Sequence, residues 1–502
     1  MALLINHKQF LNILIALIIM TGYQFSDARN KELRGVWMTN VASSVMFSKP
    51  SIAEAMDSLK AWGINAVFPV IYNNGYTLYP SLVMQSITGN KVHPMFEGRD
   101  VLQELVTEGH RNGIEVHPWI EYGFVASFGQ NGGPILANNP DWAGKRYDMD
   151  TAESDDQFYW MSQANPEVQQ FLIALGIEIV QNYDVDGVQL DRIRYGNTLD
   201  NQGNVITSDF GYDDAHVQRY KDEHDDADPP LPTDSGYKSW RAGILNEFHL
   251  NFYEAIKAEN PNVMVSNAPV VYPYGYNNFM QRWMDWLEQG SVDFVSTQLY
   301  RYDVSSYEYE LNKVLYQQIP DYTDQFFPGM LIRSGNYQVD YDLASGFVNK
   351  NRQKGVDGGV FWFYEGLPAI GRSIGDGIYK TPAKPGLHDI VWREDGLIVH
   401  EDNDSLTHVN GTWETLQGEG ADSYYSFDQR LFTAIGGSGA SITFDADIPY
   451  AGYFDVYVYQ PYDNDLAQSV PVTLLDGSGI TKSIDESSAI SRGWVFIETI
   501  YF

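Results

Sequence analysis

The residues best suited to chemistry stand at the ends of short apolar runs. In ValAspGlyValGlnLeuAsp (185–191) side chains two apart share a face, so Gln189 and Asp191 point one way and Val188 and Leu190 the other. The apolar pair belongs against helices, which leaves Asp191 inward at the end of a strand. Arg192 and Arg194 follow at once, and a nearby cation keeps a carboxylate ionised. In IleGluValHisProTrpIleGluTyr (114–122), His117, Trp119 and Glu121 share a face, with Glu121 last and Tyr122 beside it. Other runs end in Asn40, in Gln298, Tyr300 and Arg301, in Arg333, and in Trp362 and Glu365.

Two or three carboxyls within aromatic walls are what glycosidic cleavage requires. One donates a proton to the leaving oxygen, and another stabilises or attacks the cationic sugar carbon. Asp191, Glu121 and Glu365 are therefore the catalytic candidates. Trp119, Tyr122, Gln298, Tyr300, Arg301, Arg333, Trp362, Arg192 and Asn40 are the substrate-binding candidates, through stacking and hydrogen bonds to hydroxyls. The competing reading is structural, with Asp191 paired to Arg192 or Arg194 to close the mouth of the fold. Asp186 reads as a turn or cap residue and His117 as a hydrogen-bonded core histidine. His93 and His110 lack zinc spacing, and neither a Gly-x-Ser-x-Gly elbow nor a Walker loop is present. No metal and no cofactor is expected.

Something must bring these ends together. From about residue 33 to 370 the chain alternates β-rich runs with amphipathic runs. Strands are predicted at 34–40, 64–71, 114–122, 185–191, 263–267, 292–300, 327–333 and 358–365, and seven helices fall between them. Eight strand–helix units in alternation predict an α/β fold, a parallel (β/α)8 TIM barrel whose site lies at the carboxyl ends of the strands. An open doubly wound sheet is the alternative, and no glycine-rich turn follows the first strand to support it. Two long connections, from about 125 to 165 and from about 196 to 239, leave that same face. The acidic run 222–228 reads as a solvated loop without calcium-ligand spacing. After ThrProAlaLysProGly (381–386) helical periodicity ends and short alternating runs predict a small all-β sandwich. The barrel is assigned to 32–384 and the sandwich to 388–502.

The chain has 502 residues, with 32 Lys and Arg against 66 Asp and Glu, a formal net charge of −34. Such a surface repels phosphate backbones and anionic membranes, so nucleic acid is not an expected partner. There is no cysteine, which excludes disulfides, thiolate metal sites and a lipidated cysteine. Residues 1–28 have a polar start ending at Lys8, an apolar run from Phe10 to Met20 and small residues at Ser26-Asp27-Ala28. They read as a secretory signal peptide, and the apolar run is too short to span a bilayer. A secreted or periplasmic protein without a stable membrane anchor is expected.

LeuArgGlyValTrpMetThrAsn (33–40), HisArgAsnGlyIleGluValHisProTrpIle (110–120) and AspGlyValGlnLeuAspArgIleArgTyr (186–195) together resemble the glycosyl hydrolase-like 10 family. The resemblance covers roughly 32–370. It implies a barrel glycosidase of secreted or envelope type with the fourth-strand Asp191 in its site, acting on a polysaccharide such as peptidoglycan or an extracellular glycan. Many relatives have Asn-Pro-Tyr where this chain has Glu121-Tyr122-Gly123, which adds a carboxyl. Asp186-Gly187 with Asp191 is also similar to the nucleophile strand of the α-amylase superfamily. That pattern wants arginine at Gln189 and glutamate on the fifth strand, where Ser266 and Asn267 stand, so its mechanism is not carried over. Residues 409–413, 423–430, 451–458 and 493–502 resemble the golvesin and xanthan-lyase type carbohydrate-binding-like domain, and that resemblance implies a sandwich truncated at its C-terminus. The alternative function is a noncatalytic glycan-binding or cell-envelope scaffold. A metal-dependent deacetylase is a weaker third, for want of a His/Asp ligand cluster.

Overall fold

The computed structural model describes residues 31–148, 150–196 and 209–388, and shorter stretches between 396 and 502. The segment read as a signal peptide and residues 423–429 lie outside these. Eight parallel strands are present: β1 (Leu33–Met38), β2 (Ala66–Asn73), β3 (Trp119–Ile120, preceded by Glu115–Val116), β4 (Gly187–Leu190), β5 (Met264–Asn267), β6 (Phe294–Val295), β7 (Gly329–Leu331) and β8 (Gly358–Trp362). A helix follows each in the chain: α1 (Lys49–Ala61), α2 (Val101–Arg111), α3 (Pro166–Asn182), α4 (Ser235–Glu259), α5 (Met284–Glu288), α6 (Val304–Lys313), α7 (Tyr341–Gln353) and α8 (Leu367–Asp376).

Pairing runs β6-β5-β4-β3-β2-β1-β8-β7. The bridges Val295↔Phe326 and Gln298↔Gly329 join β6 to β7 in parallel and close the ring. This is the (β/α)8 barrel expected from strand count and alternation. Bulky inward side chains fill it. Trp37, Phe68, His117 and Phe294 are buried, and the Phe68 ring lies 5.0 Å from that of His117 and 6.4 Å from that of Phe294. Gly329 leaves room for this layer, since a Cβ there would sit 3.1 Å from both the Trp37 ring and the Thr297 carbonyl oxygen.

Local signals account for the helix starts. Asn165 caps α3 by accepting from Glu167 N, with Pro166 in its first turn, and Asp340 caps α7 by accepting from Leu343 N. Asp186 braces the barrel, its Oδ2 accepting the Val116 backbone N–H at 2.7 Å. His117 shares a hydrogen bond with Glu115 at 3.0 Å.

Several elements differ from the sequence-based expectation, among them the sixth strand, which spans only Phe294–Val295 rather than 292–300. The eighth strand ends at Trp362 rather than Glu365, because the chain turns through a 3-10 segment at Tyr364–Gly366. The third strand is broken at Pro118, which has no N–H for the ladder. The acidic run 222–228 is partly helical, its first residues closing a helix at Asp214–Glu223 capped by Asp213.

The chain divides into two compact units. Among the described residues, one comprises those within 31–43, 57–93 and 114–388, and the other those within 44–56, 94–113 and 396–502. The first holds the whole parallel sheet. In the second, the described strands after residue 400 form antiparallel pairs, the longest being Tyr453–Gln460 with Gly493–Tyr501.

Candidate active site

The carboxyl ends of the strands enclose a cavity of about 100 Å³, lined by Trp37, Trp119, Asp191, Arg192, Arg194, Ala268, Gln298, Tyr300 and Trp362. Trp37, Trp119 and Trp362 reach it from within β1, β3 and β8, and the others from the segments that follow β4, β5 and β6. Trp119 and Gln189 are register partners on β3 and β4, and the inward Gln189 accepts the Trp37 indole N–H at 2.5 Å and donates to Ser266 Oγ at 3.2 Å. Two residues further, Asp191 is inward again, at the mouth. Tyr300 and Trp362 stack with ring centres 5.6 Å apart, and Trp119 meets Trp362 edge-on at 5.9 Å. The result is an aromatic box with one acid, two arginines and a glutamine in its wall.

Asp191 is buried, and its Oδ1 accepts the Arg192 backbone N–H at 2.6 Å. Its pKa is raised above the ordinary carboxylate range. Burial is the main cause and the Glu121 charge adds to it, against the lowering pull of Arg192 and Arg194. The Tyr300 phenol is likewise held well above its usual value, by burial first and then by Asp191. It is a neutral donor at any ordinary pH.

Glu121 lies at the same end of the barrel but does not line the cavity. Its Oε1 is 3.1 Å from Arg192 Nη1, and its Oε2 accepts from Asn73 Nδ2 at 2.9 Å. Asn73 in turn donates to Asn40 Oδ1 at 2.7 Å. A polar relay therefore runs from β1 to β4 beneath the rim, and it holds both Asn40 and Glu121. The Arg192 guanidinium stacks 4.9 Å over Tyr122 and 5.0 Å over Phe158.

Glu365 departs from the expectation of a third carboxyl in the pocket. Because β8 stops at Trp362, Glu365 sits in the following turn, its backbone carbonyl accepts from Arg333 Nη1 at 2.8 Å, and it does not line the cavity. Arg301 is also turned to other work, pairing with Glu310 at 3.3 Å. Gln298 does line the cavity, anchored by donation to the Ala268 carbonyl at 3.0 Å. Of the three candidate acids, then, Asp191 reaches the cavity wall, Glu121 acts on it through charge, and Glu365 stands apart.

Three cavity residues, Trp37, Arg194 and Ala268, stand outside the set of candidates drawn from the sequence. Trp37 falls on the inward parity of β1, which the alternation of ArgGlyValTrpMetThrAsn could have shown. Arg194 stacks 4.6 Å over Phe279 and has its pKa pushed down to about 10 by burial. Among the described residues no acceptor meets Arg194 Nε, Arg192 Nε or the Trp119 indole Nε1, although all are buried. Buried donors without partners beside a cavity are available to a ligand's oxygens.

The model of a family described as glycosyl hydrolase-like 10 matches residues 32–343. The Bacillus subtilis protein named glycosyl hydrolase YngK is 24% identical over 327 residues, covering 58% of this chain and 60% of its own length. The Escherichia coli K12 protein named glycosyl hydrolase DigH is 24% identical over 329 residues, covering 55% of this chain and 69% of its own. The chain thus spans about 60% of the first of these relatives. In fold, it is similar to the PgaB (BpsB) glycoside hydrolase domain from Bordetella bronchiseptica. That match has a TM-score of 0.50 at 12% identity and covers 69% of this chain and 98% of that domain.

Proposed function

This chain belongs to the glycosyl hydrolase-like 10 family, and from that premise we propose that it hydrolyses O-glycosidic bonds of a polysaccharide at the mouth of its barrel. The observation that carries the reading is Asp191, a buried carboxyl with a raised pKa in the wall of an aromatic cavity. A carboxyl that keeps its proton nearer neutrality can donate it to a leaving oxygen. Glu121, ion-paired with Arg192, supplies the second charge, which raises Asp191 and favours the cationic sugar carbon as the bond breaks. Trp119, Trp362 and Tyr300 offer faces for a sugar ring. The unpartnered N–H groups of Trp119, Arg192 and Arg194 suit its hydroxyls. Neither a metal nor a cofactor is part of this reading.

The test is direct. The protein is incubated with peptide-free peptidoglycan strands, polygalacturonate, chitosan and a mixed-linkage β-glucan, and new reducing ends are counted. Wild type should produce them on at least one glycan, and Asp191→Asn should abolish them while melting cooperatively. Full activity in that variant ends the assignment.

A second reading, a noncatalytic glycan-binding scaffold, is favoured by one observation: among the described residues, a single carboxyl lines the cavity. Binding of a glycan without new ends would select it. We further propose, from the first 28 residues, export to the periplasm or beyond, and, from the resemblance after residue 388, a glycan-binding role for the C-terminal β segment.

A further inference from the structure

Large rings exposed to water at two places on the rim are not explained by the cavity itself. After β3 the chain forms a hairpin of Val125–Phe128 with Phe158–Trp160. At its edge Phe128, 47% exposed, meets Phe158 at 5.3 Å. After β7 it forms a second hairpin, Arg333–Ser334 with Tyr337–Gln338. There Tyr337 meets Tyr302, 60% exposed in the connection between β6 and α6, at 4.9 Å. Scattered apolar surface residues are ordinary. These are edge-to-face pairs, each fixed by a hairpin.

The ring order makes their positions meaningful. From β3 to β7 there are four strand steps in either direction, so the two hairpins leave the rim half a turn apart. Each connects to the cavity. The Phe158 ring lies under the Arg192 guanidinium, which lines the cavity. Tyr302 is two residues beyond Tyr300, whose ring lines the cavity stacked against Trp362. Aromatic platform, acid-bearing box and second platform thus follow one another across the mouth. A pocket built for the end of a chain needs one such extension, whereas an internal stretch needs one on each side.

We propose that the mouth is a through-groove that holds an internal segment of a polysaccharide, with sugar rings on Phe128–Phe158 on one side and Tyr302–Tyr337 on the other, so that cleavage is endo. The inference rests on the hydrolase reading for its chemistry, but the binding mode can be tested apart from it. Asp191→Asn protein is run by affinity electrophoresis through the four polysaccharides named above, each compared with its own disaccharide. At least one long chain should retard it strongly and its disaccharide should not. Adding Phe128→Ala or Tyr302→Ala should weaken retention roughly five- to tenfold each, the loss expected from one stacking contact. Phe128→Trp and Tyr302→Trp should restore it, which a merely structural role would not.

Retention by none of the long chains, or retention indifferent to both alanine variants, overturns the groove. With active protein, early products of mixed intermediate length support it, and release of terminal units alone from the first minutes overturns it while leaving hydrolysis intact. Platform-dependent retention with no new reducing ends would instead sink hydrolysis and keep the groove.

Discussion

One nitrogen of Arg192 grips Glu121 twice, Nη1 donating to the carboxylate Oε1 at 3.1 Å and to the backbone carbonyl at 3.0 Å. Arg192 holds this pose from a left-handed backbone position, φ 49°, which turns the chain after Asp191 and sends the guanidinium back over Tyr122 and Phe158. Its own backbone N–H meanwhile binds Asp191 Oδ1. One residue therefore fixes both acids, and the relation between them depends on it.

Removing that cation leaves Glu121 buried with only Asn73 as a side-chain partner among the described residues. Arg192→Met is expected to destabilise the barrel by about 3 kcal/mol, the usual cost of orphaning one member of a buried pair. Adding Glu121→Gln should recover part of the loss. Urea denaturation of the two single variants and the double variant gives the coupling directly. Additive losses would mean that the pair carries no mutual energy.

The pH profile offers a second check on the roles. If Asp191 is the proton donor, kcat/KM falls on the alkaline side as Asp191 ionises. Glu121 raises that ionisation point and Arg194 lowers it. Glu121→Gln should therefore move the alkaline limb to lower pH, and Arg194→Met should move it to higher pH. Residual activity suffices to read the direction. Both limbs moving the same way would show that Asp191 is not the titrating donor.

A third prediction concerns how closely the β3 and β4 ends approach. Gly123 donates its N–H to the Asp191 carbonyl at 3.1 Å, and a Cβ there would collide with that same oxygen and lie 2.6 Å from Ile193 Cδ1. Gly123→Ala must push the Asp191 backbone away. A loss of about 1–3 kcal/mol is expected from such overpacking, with a larger fall in kcat than in KM because the acid is displaced. A variant with native melting and native kcat would show that the Asp191 end yields without consequence.

How much of this was readable beforehand follows from periodicity. Period-two alternation placed Gln189, Asp191 and Trp119 on the inner face, since parity is a local property of a strand. The reading failed at Glu365, where the strand was extended past its last paired residue, Trp362. Nothing in GlyValPheTrpPheTyrGlu marks where the ladder stops. Pairing of Arg301 with Glu310 and of Glu121 with Asn73 joins side chains from different elements, so no local pattern encodes it. The hairpins after β3 and β7 were hidden for the same reason, and the first lay inside the long connection from about 125 to 165 that leaves the carboxyl-end face.

A last prediction lies away from the mouth and tests the barrel wall. His249 on α4 is fully buried, stacked on Trp286 with ring centres 4.4 Å apart. Its Nδ1 lies 3.0 Å from the Ser291 carbonyl oxygen, and the Asn267 side-chain amide is 3.2 Å from its Nε2. The ring is thus neutral, Nδ1–H donating and Nε2 accepting. Burial drives its pKa down from 6.5 to about 4. A folded-state pKa below the unfolded value gives stability that is complete above pH 6.5 and is lost as pH falls from 6.5 towards 4, because only the unfolded chain takes up the proton in that interval. The shift corresponds to about 3 kcal/mol. His249→Phe keeps a ring against Trp286 and cannot titrate. It should be less stable than wild type at pH 7.5, with the gap closing by most of that amount by pH 4 in urea titrations. A gap that stays constant across this range would show that His249 does not change its proton affinity on folding.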